Sequence, residues 1–290
     1  MSTSTLTIST DLIGAKLKPF LHKSTFRQTS NYAAAIEDEN TIYYNTHQEN
    51  GVSVHPLFPV AISWQAVEHL DRYLEVYFDG ELLHRAVHLS EYLEINAPFT
   101  ASGDITVTGQ IVDLRPHALG SKITMQLVYT NEEGTNLANE YTSALLFGVT
   151  CEGDKRGTLP KTEKVDITEP IWEENIAVSR LAPYLYDGCA GIVSKIHTDI
   201  KFAQSIGLPD IILHGTATLA RAVSLFINEK LGGKPQRVKT IAGKFTGMLV
   251  LPNTIRVRLL KETTDELFFD ILDSDNNALI KGGYIQFQSL

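Results

Sequence analysis

Cysteine is nearly absent: the 290 residues hold two, Cys151 and Cys189. They lie far apart and form no CxxC pair, which excludes a disulfide framework or a zinc ribbon and fits two reduced thiols. Long apolar runs are missing as well. No stretch approaches the roughly 18 apolar residues of a membrane-spanning helix, and the opening MSTSTLTIST has neither the basic start nor the apolar centre of a signal peptide. The chain therefore reads as soluble and cytoplasmic. Positive charge is the third deficit: 25 Lys and Arg face 34 Asp and Glu, a formal charge of -9. No basic block offsets it, so a surface that tracks nucleic-acid phosphates is excluded, while a local basic patch for a small anionic ligand is not.

What is present is an ordinary globular composition, 43% hydrophobic and 20% charged, at a length of about two domains. The most polar stretch, Cys151 to Glu169, carries Gly, Pro and mixed charge without apolar period and reads as a linker over 151–169 between units at 1–150 and 170–290. Each unit shows the same order: a short helix, a loop, a longer helix, then strands. In the first, Thr29 to Ala35 predicts a short helix from about Ser30. Pro59 to Phe78 predicts the longer one, with Val60, Trp64, Val67, Leu70 and Leu74 at helical spacing. Leu83–Ile95, Asp104–Arg115, Lys122–Thr130 and Ala138–Phe147 follow as strands, rich in β-branched and aromatic residues.

In the second unit, Ser179–Tyr186 predicts a short helix or turn, Asp199 caps a helix through Ile206, and Thr216–Leu231 is the long helix with Leu219, Ala222, Val223, Phe226 and Ile227 on one face. Strands are expected over Arg237–Phe245, Thr254–Thr263, Leu267–Asp273 and Ala278–Gln288. The fold class is α+β: a sheet wrapped around one long apolar helix, made twice, because a single unit would leave a large sheet face uncovered.

The candidate chemistry lies between Tyr184 and Leu225. A loop bearing His197 precedes a short helix, Gly207-Leu-Pro-Asp210, and then His214-Gly215 at the start of the longest helix. Gly215 sits where unpaired backbone N–H groups point outward and could receive a carbonyl oxygen that gains negative charge. His197 can exchange protons near neutral pH, or simply hydrogen-bond a neighbouring carbonyl. His214 reads as a packed helix-start residue, and no Cys, Asp or Glu completes a metal site around the two imidazoles.

The spacing Gly191-x5-His197-x-Asp199, then a short helix, then Gly207-Leu-x3-Ile212-Leu213-His214-Gly215 and a long helix, resembles the MaoC-like, R-specific enoyl-thioester hydratase family (hydratase 2). The resemblance covers nearly the whole chain. In the first half, Tyr32 to Tyr43, with Asp38 and Asn40, is similar to the entry helix and loop of the degenerate repeat. Leu83-His84, Pro98 to Asp104 and Leu251 to Thr254 fall where the family has its sheet turns. It implies a double hot-dog fold, whose two halves are expected to pair edge to edge into one continuous sheet, and water addition to, or removal from, a thioester of coenzyme A or acyl carrier protein, without a cofactor, by a monomer or homodimer.

Carried over residue by residue, the resemblance makes His197 the catalytic imidazole and Gly215 the oxyanion donor. It also exposes a departure. The family motif G-D-x-N-P-[LI]-H has its Asp where this chain has Ile192, its Asn at Ser194 and its Pro at Lys195. Asp187 is the expected substitute acid; Asp199 is expected to cap a helix instead. Tyr186, Ser194 and His214 are expected to touch substrate. The first half shows the opposite loss: Asp38 and Asn40 match the motif, but Tyr43 stands at the His position and His55-Pro56 replaces His-Gly. Lys195, Lys201, Arg221, Lys239, Lys244 and Arg256 are the basic residues available to an anionic carrier. Two further functions fit the same residues: isomerisation or cyclisation of an acyl or polyketide-like substrate, and non-catalytic binding of acyl thioesters or structural partnership with an active hot-dog subunit.

Overall fold

The computed structural model describes residues 6–49 and 51–289; the first five residues, on which part of the leader-peptide reading rests, lie outside it. The first half runs β1 (Thr7–Ser9), β2 (Lys16–Ser24), α1 (Phe26–Ala35), α2 (Phe58–Glu68), α3 (Leu70–Tyr73), β3 (Ala86–Ile95), β4 (Gly103–His117), β5 (Gly120–Asn131), β6 (Asn136–Phe147) and β7 (Thr150–Glu152). The second runs β8 (Trp172–Val178), α4 (Ala182–Ala190), α5 (Lys195–Thr198), α6 (Ile200–Ser205), α7 (Gly215–Lys230), β9 (Val238–Phe245), β10 (Asn253–Glu262), β11 (Glu266–Leu272) and β12 (Ala278–Phe287).

Ten strands form one antiparallel sheet in the order β2-β4-β5-β6-β3-β9-β12-β11-β10-β8. Strand order from each edge inward is equivalent, and the halves meet where β3 pairs with β9, Leu93 opposite Ile241 and Tyr92 opposite Ala242. α7 is the helix the second half wraps. Eleven of its 16 residues are buried, and alanines at 217, 220 and 222 let the surroundings approach on several sides. This is the double hot-dog arrangement, with its two sheets fused into one. Among the described residues no helix is long and apolar enough to cross a membrane.

The fusion ties the halves energetically. Leu93 and Ile241 are both fully buried at the seam, so Leu93→Ala is expected to cost about 2–5 kcal/mol by the usual penalty for a truncated core side chain. Because β3 belongs to both hydrogen-bond ladders, urea unfolding followed by fluorescence and by far-UV circular dichroism should move together in the variant. Two separated transitions would show that the seam does not couple the halves.

Several expectations need correction. The first long helix is not continuous over Pro59–Phe78: α2 ends at Glu68, His69 adopts φ -121° and ψ 40°, and α3 adds one turn before Leu74 returns to extended backbone. α1 starts at Phe26, four residues before Ser30, because Thr25 and Gln28 form a reciprocal capping box. β3 starts at Ala86 after a 3-10 turn over Gly80–Arg85, three residues later than Leu83. The second entry helix is α4, displaced from Ser179–Tyr186. β2 and β8 were not expected, and they are the two edges of the ten-stranded sheet.

Candidate active site

α4 stops at Gly191, whose left-handed backbone (φ 69°) lets its N–H close on the Asp187 carbonyl at 3.0 Å. The next residues are fastened on two sides. Ile192 turns its side chain into the core and its carbonyl towards His214 Nε2, 2.9 Å away, while the Ser194 N–H donates to Asp187 Oδ2 at 3.3 Å. One turn of helix, α5, then carries His197, which was expected in a loop. Asp187, expected in that same loop, belongs to α4. Asp199 caps α6 by accepting the Phe202 N–H at 3.0 Å. Ahead of α7, the two-pronged pair of Arg180 with Asp210 (2.7 and 3.2 Å) and the Leu213 N–H to Leu249 carbonyl bond hold the strand-like approach to His214.

This frame decides the tautomers. His197 Nδ1 lies 2.9 Å from the Ile212 carbonyl, and a carbonyl only accepts, so Nδ1 carries the proton and Nε2 keeps its lone pair. By the same logic His214 carries its proton on Nε2, facing Ile192. The two rings stack with centroids 3.6 Å apart and planes 24° from parallel. Burial pulls His197 down to about 4, opposed by the Ile212 bond. Burial and the neighbouring His197 pull His214 down to about 2. Both imidazoles are therefore neutral at pH 7, and His197 Nε2 has the lone pair a general base needs.

Gly215 is the first residue of α7, directly after its cap His214. The first N–H groups of a helix have no acceptor within it, and their partial positive charge adds to the helix dipole. A side chain here would meet Phe245: an added Cβ lies 2.7 Å from the Phe245 ring, so only glycine leaves the ring in place. Tyr186 is fully buried, and its hydroxyl donates to Thr216 Oγ1 at 3.2 Å and sits 3.3 Å from the Tyr32 hydroxyl. Burial pushes the Asp187 carboxyl up, opposed by the Ser194 N–H. Of the basic candidates, Arg221 is buried and donates to Glu37 at 3.1 Å, so it is not a rim residue. Among the described residues no group of three or more His, Cys, Asp or Glu gathers to hold a metal.

A cavity of about 710 Å³ reaches Val193 and Ser194 and is otherwise walled by the first half, from Trp64 and Leu70 to Leu83, Ile123 and Met125. The interruption of the first long helix makes this room: α2 is five residues shorter than α7, about 7.5 Å of helix. The first-half counterpart of the His197 site is filled. Tyr43 and His55 are buried with ring centroids 5.9 Å apart, and Tyr32 packs on His55 at 5.5 Å. Asp38 accepts the Asn40 N–H and the Asn228 amide, at 3.0 and 3.2 Å.

Residues 171–277 match the family model described as the MaoC like domain. The chain carries a MaoC-like domain. Over 253 residues, 83% of each chain, it is 25% identical to 3-hydroxyacyl-thioester dehydratase Y of Mycobacterium tuberculosis. It is 23% identical over 213 residues to the peroxisomal multifunctional enzyme type 2 of Drosophila melanogaster; that match covers 70% of this chain and only 34% of the fly enzyme's length. A MaoC-like dehydratase from Phytophthora capsici superposes with a TM-score of 0.85 at 19% identity, covering 96% of this chain and 98% of that one. In this chain the MaoC-like domain holds β8 and α4 to α7, and therefore His197, His214 and Gly215.

The buried histidines also set a pH dependence. Burial holds His55, His88 and His197 near 4 and His214 near 2. Unfolding releases each to about 6.5, so the unfolded chain binds protons more readily; the stabilisation is complete above pH 6.5 and is lost as pH falls towards 4. For a ring as enclosed as His55, the 2.5 pH units between 6.5 and about 4 correspond to on the order of 3 kcal/mol. Glu91 and Glu140, raised by burial, act with the opposite sign: their contribution is complete below 4.5 and is lost as pH rises. With five imidazoles held down by burial, His22 among them, against three carboxyls raised by it, Asp187 among them, urea midpoints should fall between pH 6.5 and 4, less steeply in His55→Gln. A flat profile in the wild type would contradict the neutral assignments.

Proposed function

We propose that the chain adds water to, or removes it from, the acyl group of a thioester of coenzyme A or of an acyl carrier protein. The observation that carries this is the neutral His197, oriented by the Ile212 carbonyl with a lone pair on Nε2, beside the glycine-started helix α7. In this reading the thioester oxygen lies on the Gly215 N–H, which withdraws charge from the carbonyl and makes the conjugated double bond electrophilic. His197 Nε2 takes a proton from the attacking water, and an acid returns one to the α-carbon. Asp187 is the proposed acid, with Ser194, Tyr186 and His214 shaping the pocket around the acyl group. Names of relatives agree in kind, dehydratase for the mycobacterial protein and enoyl-CoA hydratase 2 for an Arabidopsis thaliana relative.

The test is loss of the conjugated absorbance of crotonyl-CoA and longer enoyl thioesters on incubation with the protein. No loss with any of them would reject hydration. A second reading, isomerisation or cyclisation in the same pocket, is favoured by one observation: Ile192 presents buried hydrocarbon where the family has its acid. The same reading takes the protein as a cytoplasmic monomer or homodimer; light scattering and cell fractionation check both, the latter with weight because three relatives are named peroxisomal.

A further inference from the structure

The seam between the halves fixes which residues correspond. Five pairs join β3 to β9, centred on Tyr92 opposite Ala242. Three residues past that centre stand Ile95 in β3 and Phe245 in β9, and the match continues outward: β4 begins at Gly103 and β10 at Asn253, each eight residues further on. Phe245 is the ring that a side chain at Gly215 would meet. Ile95 instead borders a second cavity, of about 320 Å³, together with His55 and Pro56, the first-half counterparts of His214 and Gly215. Its other walls come from residues 51–54 and 97–101 and from 235–239 of the second half. The cavity is therefore the first-half image of the mouth of the His214–Gly215 site.

This image keeps the room and lacks the chemistry. Pro56 stands where Gly215 has its N–H and offers a carbonyl oxygen no donor. His55 is fully engaged: Nδ1 accepts the Leu57 N–H at 3.2 Å, so Nε2 carries the proton and donates to Ser224 Oγ at 3.2 Å. The volume is nevertheless that of a small-molecule pocket, roughly 300–1,000 Å³, and Val52, Val54, Ile95 and Ala97 line it only half-buried.

One charge borders these apolar walls. Lys239 is the single Lys, Arg, Asp or Glu among the lining residues, and it makes no hydrogen bond or ion pair among the described residues. One residue beyond the Glu94–Thr240 pair it comes opposite Ile95, so both side chains leave the same face of the sheet. The 710 Å³ cavity has the reverse character, bordered by Glu68, Asp71, Asp79 and Glu81 with Arg72 as the opposing charge. An apolar molecule with an anionic end is repelled there and attracted here.

We propose that the 320 Å³ groove is a non-catalytic binding site for a medium-chain carboxylate, its hydrocarbon tail on Val52, Val54, Ile95 and Ala97 and its head on the Lys239 ammonium. Charge selects the head: one lysine balances one carboxylate, whereas a phosphate monoester carries close to two negative charges and meets no second cation among the lining residues. The site stands apart from the hydration reading, because nothing in it polarises an acyl group.

Calorimetric titration of the full chain with octanoate, 1-octanol and octyl phosphate tests this. Octanoate is expected to bind about tenfold tighter than 1-octanol, through one charge-assisted hydrogen bond at a partly exposed lysine. Lys239→Gln should bring octanoate to the affinity of 1-octanol. Ala97→Trp, which fills the groove, should abolish binding of both, with circular dichroism to establish that each variant folds. On adding octanoate, hydrogen exchange should slow at 51–56 and 95–101. Equal affinity for octanoate and 1-octanol overturns the proposal, as does octanoate binding that is absent in the wild type or unchanged in both variants. Tighter binding of octyl phosphate overturns the carboxylate assignment, and protection at 64–88 in place of 51–56 would put the acid in the larger cavity. Absence of hydratase activity leaves the proposal standing.

Discussion

Gly215→Pro, made in a Phe245→Ala background, is expected to lose about 10²- to 10³-fold in kcat relative to Phe245→Ala alone, while staying folded. Proline removes the one backbone donor assigned to the thioester oxygen. It does so at the helix position that tolerates it best, since the N–H of a first helical residue has no intrahelical acceptor to lose. His214 already has ψ 134°, the conformation demanded of a residue before proline. The Phe245 change is needed because any side chain at 215 reaches the ring; without it a loss of rate would report displaced packing. Gly215→Ala in the same background keeps the N–H and should stay within severalfold of the reference. Kinetics on an enoyl thioester with thermal melting by circular dichroism checks all three. A folded Gly215→Pro variant at full rate would remove α7 from the mechanism, and equal losses in Ala and Pro would assign the effect to bulk.

What the sequence disclosed of the fold follows from where each element sits. α7 is legible because its apolar residues recur at helical spacing and it is enclosed on most sides. The inner strands are legible because β-branched and aromatic residues fill them. The two missed strands of the large sheet are its edges, and they were missed for one reason. An edge exposes unpaired backbone groups and is protected by residues that spoil a strand pattern: Lys16, Lys18, Pro19 and Lys23 in β2, Glu173 and Glu174 in β8. The over-long first helix has a different cause. Leu70 and Leu74 keep the helical spacing and are buried, but they do so from a separate turn, and spacing alone does not register the break at His69.

The site divides the same way. His197, His214 and Gly215 are close in sequence, so their conjunction could be read directly, and the structure brings the two imidazoles into contact. The cavity could not be read, since its walls come from residues 64 to 146 and meet 193 and 194 only through folding. The one signal available for His88 and Glu91 was polarity at inward positions of a predicted strand, a departure from alternation that marks a bulge. The buried Tyr186 hydroxyl is likewise invisible in sequence: its partners Tyr32 and Thr216 come from the other half and from α7.

The acid that balances His197 is the decisive residue, and Asp187→Asn is expected to lower turnover roughly 10²-fold with little change in binding of a saturated thioester. The substitution is informative because of what Asp187 holds. Its Oδ2 accepts the Ser194 N–H that fastens the loop, and an asparagine oxygen can still accept it, so the geometry survives while the ionisable proton does not. His197→Ala should lose at least as much, and in the wild type kcat/KM should fall on the acid side as pH drops through about 4, where the base becomes protonated, and on the alkaline side as the Asp187 carboxyl, raised by burial, loses the proton it donates. An acid limb near 6.5 would show that an exposed imidazole, not His197, is titrating. If Asp187→Asn is silent and His197→Ala severe, the imidazole works alone, and isomerisation or cyclisation displaces hydration. If both are silent and the protein still binds thioesters, it is a binding protein. Ile192→Asp supplies the independent check. Ile192 is 2% exposed and its carbonyl already orients His214, so a carboxylate there is built into a fixed loop at an expense in stability that thermal melting will register. A gain of hydration in that variant would show that the base and the helix-start N–H were competent all along and that this single carboxylate was what the chain lacked. Reduced stability with no gain would mean that the hydrocarbon at 192 belongs to a pocket shaped for a different reaction.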